Sequence, residues 1–83
     1  MYHIAICDDE KEFIREITNL LRRYEKESGK KFRITEFCDG SDLLKGYQTD
    51  TDLIFMDIQM EKLDGLNTAE EIRKMDDAVG LFF

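Results

Sequence analysis

Apolar residues in this chain fall into short runs separated by stretches of helical period. Tyr2-His3-Ile4-Ala5-Ile6-Cys7 is rich in β-formers, and Leu53-Ile54-Phe55-Met56 is apolar at consecutive positions and too short for a helix. The second run predicts a strand buried on both faces of a parallel sheet. Phe32 to Cys38 alternates apolar and polar, which predicts a strand with one face better buried, as at a sheet edge. Between these runs, Phe13, Ile17, Leu20, Leu21 and Tyr24 recur at the spacing of one helical face, with Arg15, Glu16, Arg22, Arg23 and Glu25 largely off it. Leu43, Leu44 and Tyr47 predict a short second helix, and Leu66, Ala69, Ile72 and Met75 mark the inner face of a third. Val79 to Phe83 reads as a fourth strand.

The breaks between these elements carry their own signals. Asp9-Glu10-Lys11-Glu12 has the spacing of a capping box, with Asp9 accepting at the helix start and Glu12 reaching back. Ser28-Gly29 stops that helix, Asp39-Gly40-Ser41 is a turn and a cap, and Gln48-Thr49-Asp50 is a break. Asp64 is suited to cap the third helix, Gly65 to a tight backbone entry, and Asp76-Asp77-Ala78 closes it. The order β-α-β-α-β-α-β, without repeat or linker, predicts one α/β domain on a parallel sheet. A last strand without a following helix predicts an incomplete fold, because parallel strands need both faces covered. Leu81, Phe82, Phe83 and parts of the first and third strands are then expected to be exposed, favouring self-association through the open edge and the apolar carboxyl end.

Composition narrows the partners. Twelve Lys and Arg stand against 19 Asp and Glu, and the net charge of -7 argues against direct binding of nucleic acid or an anionic membrane. A cation or a protein is the expected partner. The 42% hydrophobic and 37% charged fractions fit a soluble globular domain of 83 residues. No signal peptide or spanning apolar run is seen, which predicts a cytoplasmic chain. Cys7 and Cys38 lack the density of a disulfide scaffold or zinc site and read as buried thiols, with a redox pair as the alternative. His3, the one histidine, opens the first strand, away from the carboxyl ends where chemistry gathers, and a structural or partly exposed role is expected rather than a catalytic one.

Two of the predicted strands end in acids, Asp8-Asp9-Glu10 after the first and Asp57 after the third. Taken alone, Asp57 either caps the next turn or stands outside a strand end where ligands bind. If the two strands are neighbours, Asp8, Asp9 and Asp57 converge from two loops. Three carboxylates repel one another, and the usual remedy is a hard divalent cation, for which Mg²⁺ fits best because it keeps waters and leaves room for a phosphate oxygen. Asp57 can then act as a nucleophile forming an aspartyl phosphate.

Asp8-Asp9 after a first strand, Asp57 after a third, Met60 to Gly65 as Met-x-x-x-Asp-Gly, and Ile72-Arg73 in the helix beyond together resemble the receiver domain of bacterial two-component response regulators. The Ile-Ala-Ile-Cys-Asp-Asp-Glu opening and the Phe-Met-Asp-Ile-Gln-Met segment further resemble receivers that carry a LytTR-type DNA-binding domain. The resemblance implies a flavodoxin-like, doubly wound sheet of five strands in order 2-1-3-4-5, of which residues 1-83 would supply the first four and no output domain. It implies Asp57 as phosphoacceptor, Asp9 as a direct Mg²⁺ ligand, Asp8 as a ligand through water and the Gln59 backbone carbonyl as a further ligand. A sensor histidine kinase or a small phosphodonor would supply the phosphoryl group, and an output domain, controlling transcription, would read it. The receiver catalyses at most its own phosphorylation. Glu61 stands where the family usually has proline. The Ser/Thr after the fourth strand, the Lys after the fifth and the last two helices of the family pattern have no counterpart in residues 1-83.

Two other readings compete. A phosphatase of the haloacid dehalogenase type also uses an aspartyl nucleophile, but it needs a second acid two residues on, where Gln59 stands. A non-catalytic α/β interaction module would use the acids only as helix caps. A nucleotide-binding domain is disfavoured, because no Gly-rich loop follows the first strand.

Overall fold

A computed structural model describes residues 1–58 and 64–83. The elements are β1 (Tyr2–Cys7), α1 (Lys11–Ser28), β2 (Phe32–Phe37), α2 (Gly40–Gly46), β3 (Leu53–Met56), α3 (Gly65–Met75) and β4 (Gly80–Phe82). The strands form one parallel sheet in the order β2-β1-β3-β4. This is the expected flavodoxin-like arrangement, with β2 at an edge and β1 inside.

Side chains alternate across the sheet, so each strand feeds two cores. Ala5 and Cys7 of β1 join Ile54 and Met56 of β3 against Leu43 of α2 and Ile72 of α3. Ile4 and Ile6 turn to the other face and meet Ile14 of α1, with Ile17, Leu21, Phe32 and Ile34 packed around them. One face thus carries two helices and the other carries α1 alone, which packs on β1 and β2.

That asymmetry corrects several expectations. α1 points Ile14 at the sheet, with Ile17 and Leu21 beside it, while Phe13, Leu20 and Tyr24 are exposed. The apolar arc of α1 is wider than the strip of sheet it covers, so its flank stays in solvent. β3 was expected to be buried on both faces, yet Leu53 and Phe55 on the α1 side are only half-buried. β1 is buried from His3 to Cys7 rather than partly exposed, and Leu81 packs against the α2/α3 core. Phe82 and Phe83 are exposed as expected, at 61% and 51%, and Phe82 meets Phe55 edge-on with ring centroids 5.7 Å apart. In α3 the buried positions are Gly65, Thr68, Ala69 and Ile72, whereas Leu66 and Met75 face solvent.

The helix ends follow local chemistry. Gly29 takes the left-handed conformation, φ 76°, and its N–H donates to the Glu25 carbonyl at 2.9 Å, ending α1. Glu25 accepts from the Phe32 N–H at 2.6 Å and pairs with Arg22, and these bonds hold its carboxyl below the usual carboxylate range. Asp39 caps α2 through the Asp42 N–H, and Asp64 caps α3 through the Asn67 N–H, both at 2.8 Å. The Tyr47 hydroxyl donates to Asp76 at 2.6 Å, joining the carboxyl ends of α2 and α3. His3 is buried, so of the structural and partly exposed roles expected for it the structure has the first. Among the described residues no helix is long and apolar enough to cross a membrane.

Truncation of Ile72, which is fully buried between α3 and the sheet, is expected to cost about 2–5 kcal/mol in denaturant unfolding. Leu66→Ala, on the exposed side of the same helix, should change stability by about 0.5 kcal/mol or less.

Candidate metal and phosphoryl site

The pairing of β1 with β3 sets Cys7 level with Met56, so the residues that follow each strand emerge side by side. The Asp57 N–H donates to the Cys7 carbonyl at 2.9 Å, and the Asp8 N–H to the Phe37 carbonyl at 3.1 Å. The ladders therefore run one residue past the strands and fix both acids at the carboxyl end of the sheet. One oxygen from each of Asp8, Asp9 and Asp57 lies within 4.8 Å of the others. The expected convergence is present.

The predicted capping box is not. Glu10 occupies the cap position of α1 without a side-chain bond, and the Glu10 N–H donates instead to Asp8 Oδ1 at 2.9 Å. Asp8 takes the turn bond, and Asp9 is left exposed beside Asp57. Burial pushes the Asp8 carboxyl above its usual range against the lowering effect of the Glu10 N–H, and the negative charges of Asp57 and Asp9 add to the rise. A cluster of this kind gains from a cation.

Gly65 holds the other side of the site. Its N–H donates to the Ile58 carbonyl at 2.8 Å, and a Cβ on it would come within 2.2 Å of the Asp57 carbonyl oxygen. Only glycine lets α3 begin that close to the acid loop. This is the physical content of the Asp64-Gly65 motif. Gln59, whose backbone carbonyl was expected to join the metal site, lies outside the described residues, as do Met60 and Glu61.

The acids form one end of a cavity of about 580 Å³ whose other walls include Phe13, Ile17, Phe55, Phe82 and Phe83. Sequence periodicity missed this aromatic wall, since Phe13 was assigned to the sheet-facing side of α1. The donor set is three hard carboxylates, which suits a small divalent cation.

Cys7 and Cys38 differ in kind. Cys7 is buried, and that burial, with the nearby charges of Asp39 and Asp8, pushes its thiol up to about 12. Cys38, expected to be buried, is exposed one residue beyond β2, and neither cysteine is in a disulfide. A thiol reagent is expected to label Cys38 alone in the native chain and both cysteines after unfolding in guanidinium, with Cys38→Ser abolishing the native labelling.

A family profile for the response regulator receiver domain matches residues 4–83. The probable transcriptional regulator ycf27 of Cyanidium caldarium is 35% identical over 77 residues, covering 92% of this chain and 28% of that protein. Among solved structures, a receiver domain protein from Clostridium thermocellum has the same fold, with a TM-score of 0.80 at 19% identity, over 98% of this chain and 62% of that one. The response regulator TrrA of Thermotoga maritima is 32% identical and covers 98% of this chain and 66% of its own. It has been solved with Mg²⁺–BeF, TM-score 0.71, and with the histidine kinase ThkA, TM-score 0.68. The chain thus spans about a quarter of the curated relative and under two thirds of these solved chains.

Proposed function

The chain belongs to the response regulator receiver family, and from that premise we propose that Asp57 accepts a phosphoryl group from a sensor histidine kinase in a reaction that requires Mg²⁺. The observation that carries this reading is the convergence of the Asp8, Asp9 and Asp57 carboxylates within 4.8 Å at the ends of neighbouring strands. The TrrA structures, one with Mg²⁺–BeF and one with a histidine kinase, support it at 32% identity.

In this reading Asp9 binds Mg²⁺ directly, Asp8 through water, and Asp57 and the Gln59 carbonyl complete the protein's share. When bound, the ion neutralises the negative charge of phosphoryl oxygens and carboxylates brought together. The chain's own groups do the rest. An Asp57 carboxylate oxygen attacks phosphorus, a new O–P bond forms, and the P–N bond to the kinase imidazole breaks with its electron pair returning to nitrogen. The β1 and β3 ladders hold Asp57 against Asp8, and Gly65 fixes the peptide behind it, so little reorganisation is needed. The similarity to a transcriptional regulator supports control of transcription as the output, delivered by a part of the protein outside residues 1–83. The LytTR-type assignment rests on the Ile4-to-Glu10 and Phe55-to-Met60 segments. Phosphotransfer from a sensor histidine kinase, as proposed, is in keeping with a cytoplasmic location of this segment.

Incubation with Mg²⁺ and a small phosphodonor, read by intact mass, should add one phosphoryl group to the parent chain and none to Asp57→Asn. Mg²⁺ should also raise the melting temperature of the parent, and less so that of Asp9→Asn. A folded parent that binds Mg²⁺ yet gains no phosphoryl group would refute acceptor activity in residues 1–83.

Self-association is part of the same proposal. The outer edge of β4 has no partner among the described strands, and Phe82 and Phe83 lie exposed beside it. Light scattering should show concentration-dependent dimers or larger species that Phe82→Ser/Phe83→Ser reduces. A monomer at all concentrations would overturn this part.

A further inference from the structure

His3 lies at the end of β1 opposite the acid cluster, and it is 4% exposed. Its ring is enclosed by β2 and by the segment leading into β3. Nε2 stands 2.8 Å from Thr35 Oγ1. Nδ1 is met from three sides, by Asp50 Oδ1 at 3.1 Å, an Arg33 guanidinium nitrogen at 3.0 Å and Thr51 Oγ1 at 3.4 Å.

These neighbours make incompatible demands. A ring nitrogen carries either a lone pair or a proton. Arg33 is a donor only and needs the lone pair, whereas the Asp50 carboxylate is an acceptor and needs the proton. The Thr51 hydroxyl already donates to the Gln48 carbonyl at 2.6 Å, so toward Nδ1 it too acts as an acceptor. Nε2 faces no such conflict, because the Thr35 hydroxyl rotates to accept or donate. No single protonation state of His3 satisfies both Arg33 and Asp50 at Nδ1. Each has somewhere else to go, since Arg33 also donates to Asp50 Oδ2 and, at 3.3 Å, to Gln48 Oε1.

We propose that His3 is a proton-operated exchange of partners. Neutral His3 carries its proton on Nε2 and accepts from Arg33 at Nδ1. Taking a proton from solvent, Nδ1–H donates to Asp50, and the new positive charge drives the Arg33 guanidinium off the ring toward Asp50 Oδ2, Gln48 and solvent. The charged groups facing the imidazole are Arg33 from β2 and Asp50 and Asp52 from the segment before β3. Asp52 does not compete for the ring. Its carboxylate accepts from the His3 backbone N–H at 2.8 Å, and its own N–H donates to the His3 carbonyl at 2.8 Å. The backbone pins therefore stay in place, and the change is confined to Arg33, whose side chain is 49% exposed. Protonation of His3 thus moves the Arg33 guanidinium from the ring onto Asp50 and Gln48, at the end of the sheet away from Asp57.

One histidine per chain makes the test direct. Nitrogen-15 NMR of the labelled chain should show the Nε2–H tautomer at pH 8, two protonated nitrogens at low pH, and faster solvent exchange of the Arg33 guanidinium hydrogens over the same interval. In Arg33→Met the neutral proton should move to Nδ1, and in Asp50→Asn the change in Arg33 exchange should shrink. An Nδ1–H tautomer in the parent at pH 8, or Arg33 signals that do not follow the His3 titration, would overturn the proposal. The parent chain alone decides this if a variant does not fold.

Discussion

The parallel pairing of β1 with β3 is the constraint from which the remaining architecture follows. Its register places Cys7 beside Met56, and a shift by one residue would exchange the faces of every β3 side chain. Ile54 and Met56 would then leave the α2/α3 core, and Asp57 would no longer stand level with Asp8. Packing and chemistry are thus fixed by the same hydrogen bonds. A charged cluster that disfavours folding is held together because the apolar residues immediately before it have one register in which both faces of β1 are filled.

The two faces of the sheet are not equivalent. Tyr47 and Asp76 fasten α2 to α3, and the core beneath them is closed around Leu43, Ile54 and Ile72. On the other face α1 reaches β1 and β2, and the aromatic side chains of Phe13, Phe55, Phe82 and Phe83 surround open space next to the acids. Rigidity on one face and openness on the other meet at Asp57. Gly65 transmits the first to it, since α3 begins in contact with the Asp57 peptide.

Much of this was legible in the residues. The strand runs, the edge position of β2, the caps at Asp39 and Asp64 and the stop at Gly29 all follow from local pattern, because each depends on chemistry within a few positions. The acids at Asp8, Asp9 and Asp57 were legible for another reason, since strand ends are where a parallel sheet presents its ligands. What periodicity could not supply was how much of each apolar arc has something to pack against. Phe13 and Leu20 on α1, and Leu66 and Met75 on α3, have the spacing of core residues and lie in solvent. The cap of α1 was misplaced because the helix starts one residue later than the acids suggest, with Glu10 at the cap position and Asp8 taking the Glu10 N–H in the turn before it. The conflict at His3 was invisible, since it arises from Arg33 and Asp50, which lie far away along the chain.

The sheet order also sets how damage to the chain is distributed. β1 is an interior strand with partners on both sides, while β4 borders only β3 among the described strands. Loss of β1 would divide the sheet and leave β2 without its strand partner. Loss of β4 would remove one short strand and leave the other three paired. During synthesis β1 must also wait, unpaired on one side, until Leu53 to Met56 have emerged, so the acid site can form only after roughly two thirds of these residues are made.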